Sequence, residues 1–262
     1  MKSKLTAVVL MFSILAVFFS TAILAQDVTE LIAQGDKLVK EFKHQEALEV
    51  YQKADAASPA NWEVLWKISR AYVDLAEKMP KETSEQEDAQ LAAYDKAMAL
   101  ADSSAKLAPN KSEPLLRKAI AGGRIALFKG VFSVAGVVNQ VRDDVEKAIK
   151  LNTGGNEIQG VAHYVLARTH AKISEKWAPA RSVLGLGWAD IDSALVEYKK
   201  AIELYPNFIM IYVDYAKSLI EEDEYELARQ MLNKALSLKK IDEDDEERLA
   251  EAKVMLKEIE DE

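Results

Sequence analysis

The feature that most constrains the fold of this chain is a spacing that recurs every 34 residues. Ala194 and Ala201 flank Tyr198, and Ala228 and Ala235 occupy the same positions one period later. Small residues seven apart share one face of a helix, where they let neighbouring helices approach closely. A chain with this period is expected to form a stack of helix pairs, because one pair cannot bury its own apolar face.

This period and its small and aromatic positions resemble the tetratricopeptide (TPR) repeat. The resemblance implies an all-α fold, namely a right-handed TPR superhelix (an α-α solenoid) of about five helix pairs with a C-terminal capping helix. The composition agrees, because 262 residues contain only 10 Gly and 6 Pro and no convincing alternating strand pattern. The repeats are predicted at about 28–61, 62–111, 112–155, 160–208 and 209–242, and the capping helix at 244–259.

The first 25 residues are predicted to be a secretory signal peptide, because a lysine-containing start precedes a long apolar run. Cleavage near Ala22 or Ala25 would leave residues 26–262 as a single TPR solenoid domain. If the segment stays uncleaved, the run is long enough to span a bilayer, and a membrane association is expected only then. The chain contains no cysteine, which excludes disulfides and a cysteine-linked lipid. A bacterial periplasmic or secreted location is predicted.

The chain is acidic, with a formal net charge of −9, and much of this charge lies near its end. Residues 240–262 contain eleven acidic and four basic side chains. We interpret this segment as the solvated face of the capping helix; a specific acidic tail is the alternative. Nothing in the sequence suggests a nucleic-acid partner.

Three repeats are longer than the period allows. The second has a polar insert in which Ser84 and Glu87 suggest a capping box for a lengthened helix. The third and fourth have apolar inserts at 129–140 and 176–190, which are expected at the same edge of the array. These two inserts either pack on each other and extend the core, or fold over the groove as a lid that encloses an apolar pocket.

The first helix of each TPR repeat lines the concave groove, and the repeat register therefore selects candidate binding residues. They are Trp66, Arg70, Arg117, Arg124, Tyr164, Arg168, Lys172 and Lys217. Arginine side chains suit carboxylates, so the groove is predicted to accept an acidic or carboxylate-ended segment. The alternative is that these bases pair with neighbouring acids such as Glu63, Asp74 and Asp214.

No pattern in the chain points to catalysis. His163 and His170 are seven residues apart on one predicted helix, which separates them by about 10.5 Å along its axis, too far for one metal ion. No nucleophile motif or phosphate-binding loop is present. We therefore predict a protein that is not an enzyme and needs no cofactor or metal.

The order of these features resembles one TPR family more closely. The lengthened second repeat is followed by LFKGVFSVAGVVNQVRDDVEKAIKLN, by HYVLARTHAKISEKWAPARSVLGLGWADIDSALVEYKKAIELYPNF, and by ARQMLNKALSLKKIDEDDEERLAEAKVMLKEIE. This order resembles the TPR proteins of the regulator of microtubule dynamics type and their bacterial homologues, over roughly residues 62–262. The resemblance implies the fold, the repeat order and an adaptor-like role. A microtubule role is not expected of a chain with a bacterial-looking export signal.

Two functions remain open from the sequence. The first is an exported TPR protein-interaction module, an adaptor or scaffold, that binds a protein or peptide segment in its concave groove. The second is a small-molecule or lipid-binding transport-accessory protein with an apolar pocket covered by the inserts at 129–140 and 176–190. The sequence leaves homo-oligomer formation open.

Overall fold

The computed structural model describes residues 28–260 and residue 262. The predicted signal peptide, residues 1–25, lies outside this part of the chain. The described residues form twelve α-helices and no strand. The helices are α1 (28–40), α2 (His44–Ala57), α3 (Trp62–Glu77), α4 (Ser84–Leu107), α5 (Ser112–Lys129), α6 (Ala135–Leu151), α7 (Gly155–Ser174), α8 (Ala178–Val183), α9 (Ile191–Leu204), α10 (Ile209–Glu221), α11 (Tyr225–Ser237) and α12 (Asp245–Glu258).

The helices stack in pairs along the chain. The pairs are α1 with α2, α3 with α4, α5 with α6, α7 with α9, and α10 with α11, while α12 packs on α10 and α11. Helix α8 is a short helix within the second apolar insert. This arrangement confirms the predicted all-α TPR solenoid of five helix pairs and a capping helix. Among the helices described, none is both long enough and apolar enough for a membrane span.

The repeated small residues hold each pair together. Ala194, Tyr198 and Ala201 are all at most 1% exposed. In the first pair, a Cβ atom added to Gly35 would lie 2.3 Å from the ring of Tyr51, so only glycine leaves room for this aromatic side chain. The period seen in the sequence is therefore the packing requirement of the helix pairs.

The predicted capping box lies one residue earlier than expected. Thr83, and not Ser84, is the N-cap of α4, with extended backbone angles of φ −127° and ψ 158°. Its hydroxyl accepts the Gln86 N–H at 3.4 Å, and Oε1 of Gln86 accepts the Thr83 N–H at 3.2 Å. Ser84 is already helical, so Glu87 is out of register for a reciprocal bond.

The fourth repeat also begins earlier than expected, at Gly155 rather than Gly160. Asn152 ends α6 in the left-handed conformation, and Gly154 and Gly155 have φ values of 84° and 80°. Glycine adopts such angles without strain, so the turn is short and α7 gains an extra turn.

The two apolar inserts pack on each other. Trp188 Nε1 of the second insert donates a hydrogen bond to Asn139 Oδ1 of the first, at 2.7 Å. Val138 and Leu186, one from each insert, share an apolar cluster with Ile173 of α7. Of the two arrangements left open by the sequence, the inserts extend the core.

Candidate ligand-binding groove

The concave side of the array contains a cavity of about 810 Å³. Most of its lining comes from α1, α3, α5 and α7, which are the first helices of the first four repeats. Residues from 205–210 and from 241–244 line its far end. First helices face inwards in this architecture, and the cavity is therefore the groove of the solenoid.

Seven of the eight candidate residues line this cavity, namely Trp66, Arg70, Arg117, Arg124, Tyr164, Arg168 and Lys172. Lys217 does not. Its Nζ atom lies 3.2 Å from Asp214 Oδ1 and 2.8 Å from Glu251 Oε1, so it connects α10 to the capping helix. The repeat position of Lys217 predicts a place in the groove, but the side chain instead forms an ion pair with Glu251 of α12.

Several groove bases pair with acids, as the alternative interpretation proposed. Arg70 Nε lies 3.4 Å from Asp74 Oδ2, one helical turn away. Arg124 of α5 pairs with Glu77 of α3. Burial raises the pKa of Glu77, and Arg124 opposes that rise. These arginines carry charges that are already largely compensated.

Arg168, Tyr164 and Asp214 form a buried network. Arg168 Nη1 donates to the Tyr164 hydroxyl at 3.2 Å, and that hydroxyl donates to Asp214 Oδ2 at 2.6 Å. Burial alone would raise the pKa of Asp214, but Arg168 and Lys217 lower it below its usual value. The same burial, together with Asp214, raises the pKa of Tyr164. This network fixes α7 against α10 and leaves little free charge for a ligand.

Arg117 differs from the other groove arginines. Its Cζ atom lies 5.7 Å from the centre of the Trp66 ring, and among the described residues it has no ion pair or hydrogen bond. Burial, followed by repulsion from Arg70, lowers the pKa of Arg117 to about 9, and the carboxylate of Asp74 opposes part of this drop. Nε of Arg117 and Nε1 of Trp66 are both buried without a protein acceptor. Two N–H donors on adjacent first helices therefore line the cavity with no acceptor provided by the protein.

Sequence reasoning missed one part of the groove. His44 Nε2 lies 3.1 Å from Glu243 Oε2, and Lys78 Nζ lies 2.5 Å from Asp244 Oδ1. These contacts join residues 199 and 166 positions apart, so the segment 241–244 closes the far end of the cavity against the first two repeats. No local pattern could have revealed a contact between such distant positions.

The histidines of the fourth repeat make structural contacts. His163 Nδ1 lies 2.5 Å from Glu197 Oε2. His170 accepts the Asp190 N–H at 3.3 Å and packs edge-on against Trp188. Within the described part of the chain, no group of three or more His, Asp or Glu side chains is arranged to hold a metal ion.

Comparison with known proteins identifies the family. A family model described as regulator of microtubule dynamics protein 1-3 matches residues 31–260. The chain belongs to this family. The match begins within α1, so the similarity includes the first repeat and extends beyond the range of about 62–262 that the sequence features indicated.

A curated relative supports the same family at lower similarity. Regulator of microtubule dynamics protein 3 of Rattus norvegicus is 26% identical over 230 residues, which cover 84% of this chain and 46% of the rat protein. The chain thus spans about half the length of that relative.

Solved structures share the fold. A structure reported in a functional characterisation of Pseudomonas aeruginosa PilF has a TM-score of 0.54 at 12% identity and covers 90% of this chain and 93% of its own. The TPR protein TTC0263 of Thermus thermophilus has a TM-score of 0.49 at 20% identity, and the match covers 75% of this chain and 83% of that structure's chain. The likeness to the PilF structure shows the shared fold.

Proposed function

We propose that this member of the regulator of microtubule dynamics family is a non-catalytic binding protein whose groove takes a carboxylate-bearing segment of a protein partner. The observation that carries the proposal is Arg117, a half-buried guanidinium in the cavity wall whose Nε is buried and which forms no ion pair with the described residues. Removing a cation from water is unfavourable unless an anion compensates it. A ligand carboxylate would supply that anion.

The geometry around Arg117 suits a carboxylate better than a neutral group. A guanidinium can donate two parallel hydrogen bonds to the two oxygens of a carboxylate. Trp66 Nε1, buried beside it without an acceptor, supplies a further donor. Arg70 lies close enough to repel Arg117, and a bound anion would relieve that repulsion.

The test compares two peptide pools that differ only at their C-terminus. Both pools are hexapeptides randomised without Asp and Glu; one has a free C-terminal carboxylate and the other is amidated. We expect the purified full chain to retain the carboxylate pool preferentially, and Arg117→Gln to abolish the preference. Arg124→Gln is the matched control, because Arg124 lines the same cavity but pairs with Glu77. Equal retention of both pools, or a preference that survives Arg117→Gln, would contradict the proposal.

Export is a separate part of the proposal. The lysine-containing start and apolar run of residues 1–25 support a periplasmic or secreted location after cleavage near Ala22 or Ala25. The mass of the protein recovered from its host decides this point. A chain that begins at Ile23 or Gln26 supports export with cleavage, whereas a chain that begins at Met1 supports a membrane-tethered adaptor.

One observation favours a second candidate function, the binding of an amphiphilic small molecule. The cavity volume of about 810 Å³ lies within the range of roughly 300–1,000 Å³ found for small-ligand sites. Part of its wall is apolar, formed by Ile120, Val138, Val161, Val165, Ile173 and Met210. The second insert, 176–190, contributes nothing to this lining, so a ligand would lie against α5 and α7 and not beneath both inserts as the sequence suggested.

Native mass spectrometry separates the two candidates. An adduct on the protein from its host that denaturation releases would favour the amphiphile, with its anionic group at Arg117. A bare chain that retains carboxylate peptides would favour the protein partner.

A further inference from the structure

The connection between α11 and α12 reaches across to the opposite end of the array. Glu243 and Asp244 contact His44 and Lys78, at 3.1 Å and 2.5 Å. Lys78 Nζ also lies 3.6 Å from Glu243 Oε2. The segment Ile241 to Asp244, called the plug loop below, thereby lines the same cavity as Arg117.

The contacts of the plug loop with the first two repeats are polar and partly exposed. The side chains of Lys78 and Asp244 are 45% and 28% exposed, and ion pairs of this kind contribute only about 0–1 kcal/mol. The strong helix contacts of α12 are with α10 and α11, not with the helices across the groove. The plug loop is therefore held in the groove by interactions that a competing anion can replace.

The plug loop is also preformed. Oδ2 of Asp245, which is only 1% exposed, accepts the N–H groups of Ile241 and Asp242, each at 2.7 Å. Burial and the nearby carboxylates of Asp245 and Asp244 raise the pKa of Asp242. Moving the loop into solvent would relieve the burial of Asp242 without unfolding α12.

We propose that the plug loop is an internal competitor, and that an acidic segment of the partner displaces it from the subsite formed by His44 and Lys78. The inference rests on the proposed function, in which Arg117 binds one carboxylate of the partner, and adds a second contact at His44 and Lys78. Two successive carboxylates, those of Glu243 and Asp244, occupy the subsite in the closed protein. The partner segment then carries two adjacent acidic residues that replace them.

The first test measures opening in the absence of a partner. The variant Glu243→Gln with Asp244→Asn keeps side-chain size and removes both charges. Trypsin cleavage after Lys239 and Lys240, next to the plug loop, should become about five- to tenfold faster, because losing contacts worth about 1 kcal/mol raises the open population by that factor. The control is Glu258→Gln with Glu260→Gln, the same charge change at exposed positions near the end of the chain. Equal cleavage of both variants overturns the proposal.

The second test supplies the plug in trans. The probe is a fluorescent, C-terminally amidated peptide KKIDEDDE, the sequence of residues 239–246. We expect the plug variant to bind it about tenfold more tightly than the wild type or the control. Adding Lys78→Glu to the plug variant should abolish this binding.

The outcomes separate this inference from the proposed function. If the wild type and the plug variant bind the probe equally, or if neither binds it, the plug loop is not an internal competitor. That result leaves the retention of carboxylate peptides through Arg117 unaffected. Loss of the Arg117-dependent preference together with tighter probe binding by the plug variant overturns the carboxylate anchor and leaves an acidic subsite at Lys78.

Discussion

Arg117 and Arg124 lie seven residues apart on α5 and line the same cavity, yet of the two only Arg124 forms an ion pair, with Glu77. Replacing a half-buried cation that has no ion pair by an apolar side chain of similar length removes a desolvation cost, so we expect Arg117→Met to raise the free energy of unfolding by about 1 kcal/mol. Arg124→Met should lower it by about 1–3 kcal/mol, because Glu77 would lose its counter-ion. Urea denaturation at pH 7 measures both changes.

The two substitutions are expected to change the free energy of unfolding in opposite directions. The pKa of Arg117 is lowered by burial, which means that folding disfavours its charged form, and this cost is fully present at pH 7 because the group is charged in both states. If Arg117→Met destabilised the protein as much as Arg124→Met, Arg117 would have an internal counter-ion. Arg117 would then need no carboxylate from a ligand.

The sequence could predict where most groove residues lie but not which of them are neutralised. The repeat register placed seven of eight candidates around one cavity, because helix periodicity fixes the facing side of each first helix. Asp74 lies one turn from Arg70, so this pair is readable from spacing. The pair of Arg124 with Glu77 joins two helices, and its existence depends on side-chain packing that spacing does not determine.

At the scale of single helices, the start of α4 offers a direct test of the corrected register. Thr83→Ala should lower the free energy of unfolding by about 1 kcal/mol, because it removes the N-cap hydroxyl that accepts the Gln86 N–H. Ser84→Ala is the matched control and should change stability by less than about 0.5 kcal/mol. A larger loss of stability from Ser84→Ala than from Thr83→Ala would instead support Ser84 as the N-cap. Thermal or urea denaturation followed by circular dichroism measures both.

The contact between the two apolar inserts provides a second test at this scale. Trp188→Phe and Asn139→Ala each remove one partner of the hydrogen bond between the inserts. In a double-mutant cycle we expect a coupling energy of about 1 kcal/mol, measured by urea denaturation. Trp177→Phe, at a position 73% exposed in the same insert, should change stability by less than about 0.5 kcal/mol. A coupling energy near zero would mean that the inserts do not support each other in solution.

The sequence predicts the number of helix pairs better than it predicts where each helix begins. Proline and the small-residue spacing located five helix pairs, because these features act within one or two turns. The sequence predicts the start of α4 one residue too late, because Thr83 and Ser84 are both suitable N-cap residues. It predicts the start of α7 too late because the left-handed turn at Asn152 makes that helix longer. Helix α8 has only six residues and no buried side chain, so it has no periodic apolar pattern in the sequence.

For the whole molecule, the sequence predicted the order of packing but not the contact between its ends. A solenoid is stabilised by neighbouring repeats, so its architecture follows from one repeat and its period. The plug loop meets His44 and Lys78 only because the accumulated curvature of the array brings distant repeats together. Curvature is the sum of many small packing angles, and no single repeat specifies it.

The packing is uneven along the array, and this predicts where the native state opens last. Helix α10 contacts α7, α9, α11 and α12, and Tyr215 of α10 stacks on Tyr198 of α9 with ring centres 5.4 Å apart. Ten of its residues are buried, namely Ile209, Met210, Ile211, Tyr212, Val213, Asp214, Tyr215, Ala216, Ser218 and Leu219. A helix enclosed on several sides can expose its amides only when its neighbours also separate.

We therefore expect the amides of α10 to exchange with solvent only through global unfolding. Their exchange free energy should fall with urea at the global slope, whereas the amides of α2, at the other end of the array, should exchange through local opening with a smaller slope. Leu219→Ala should lower both the global stability and the exchange free energy of α10 by about 2–5 kcal/mol and leave α2 nearly unchanged. Equal slopes in α2 and α10 would instead show that the solenoid unfolds as one cooperative unit, which would require the closure by the plug loop to couple its two ends.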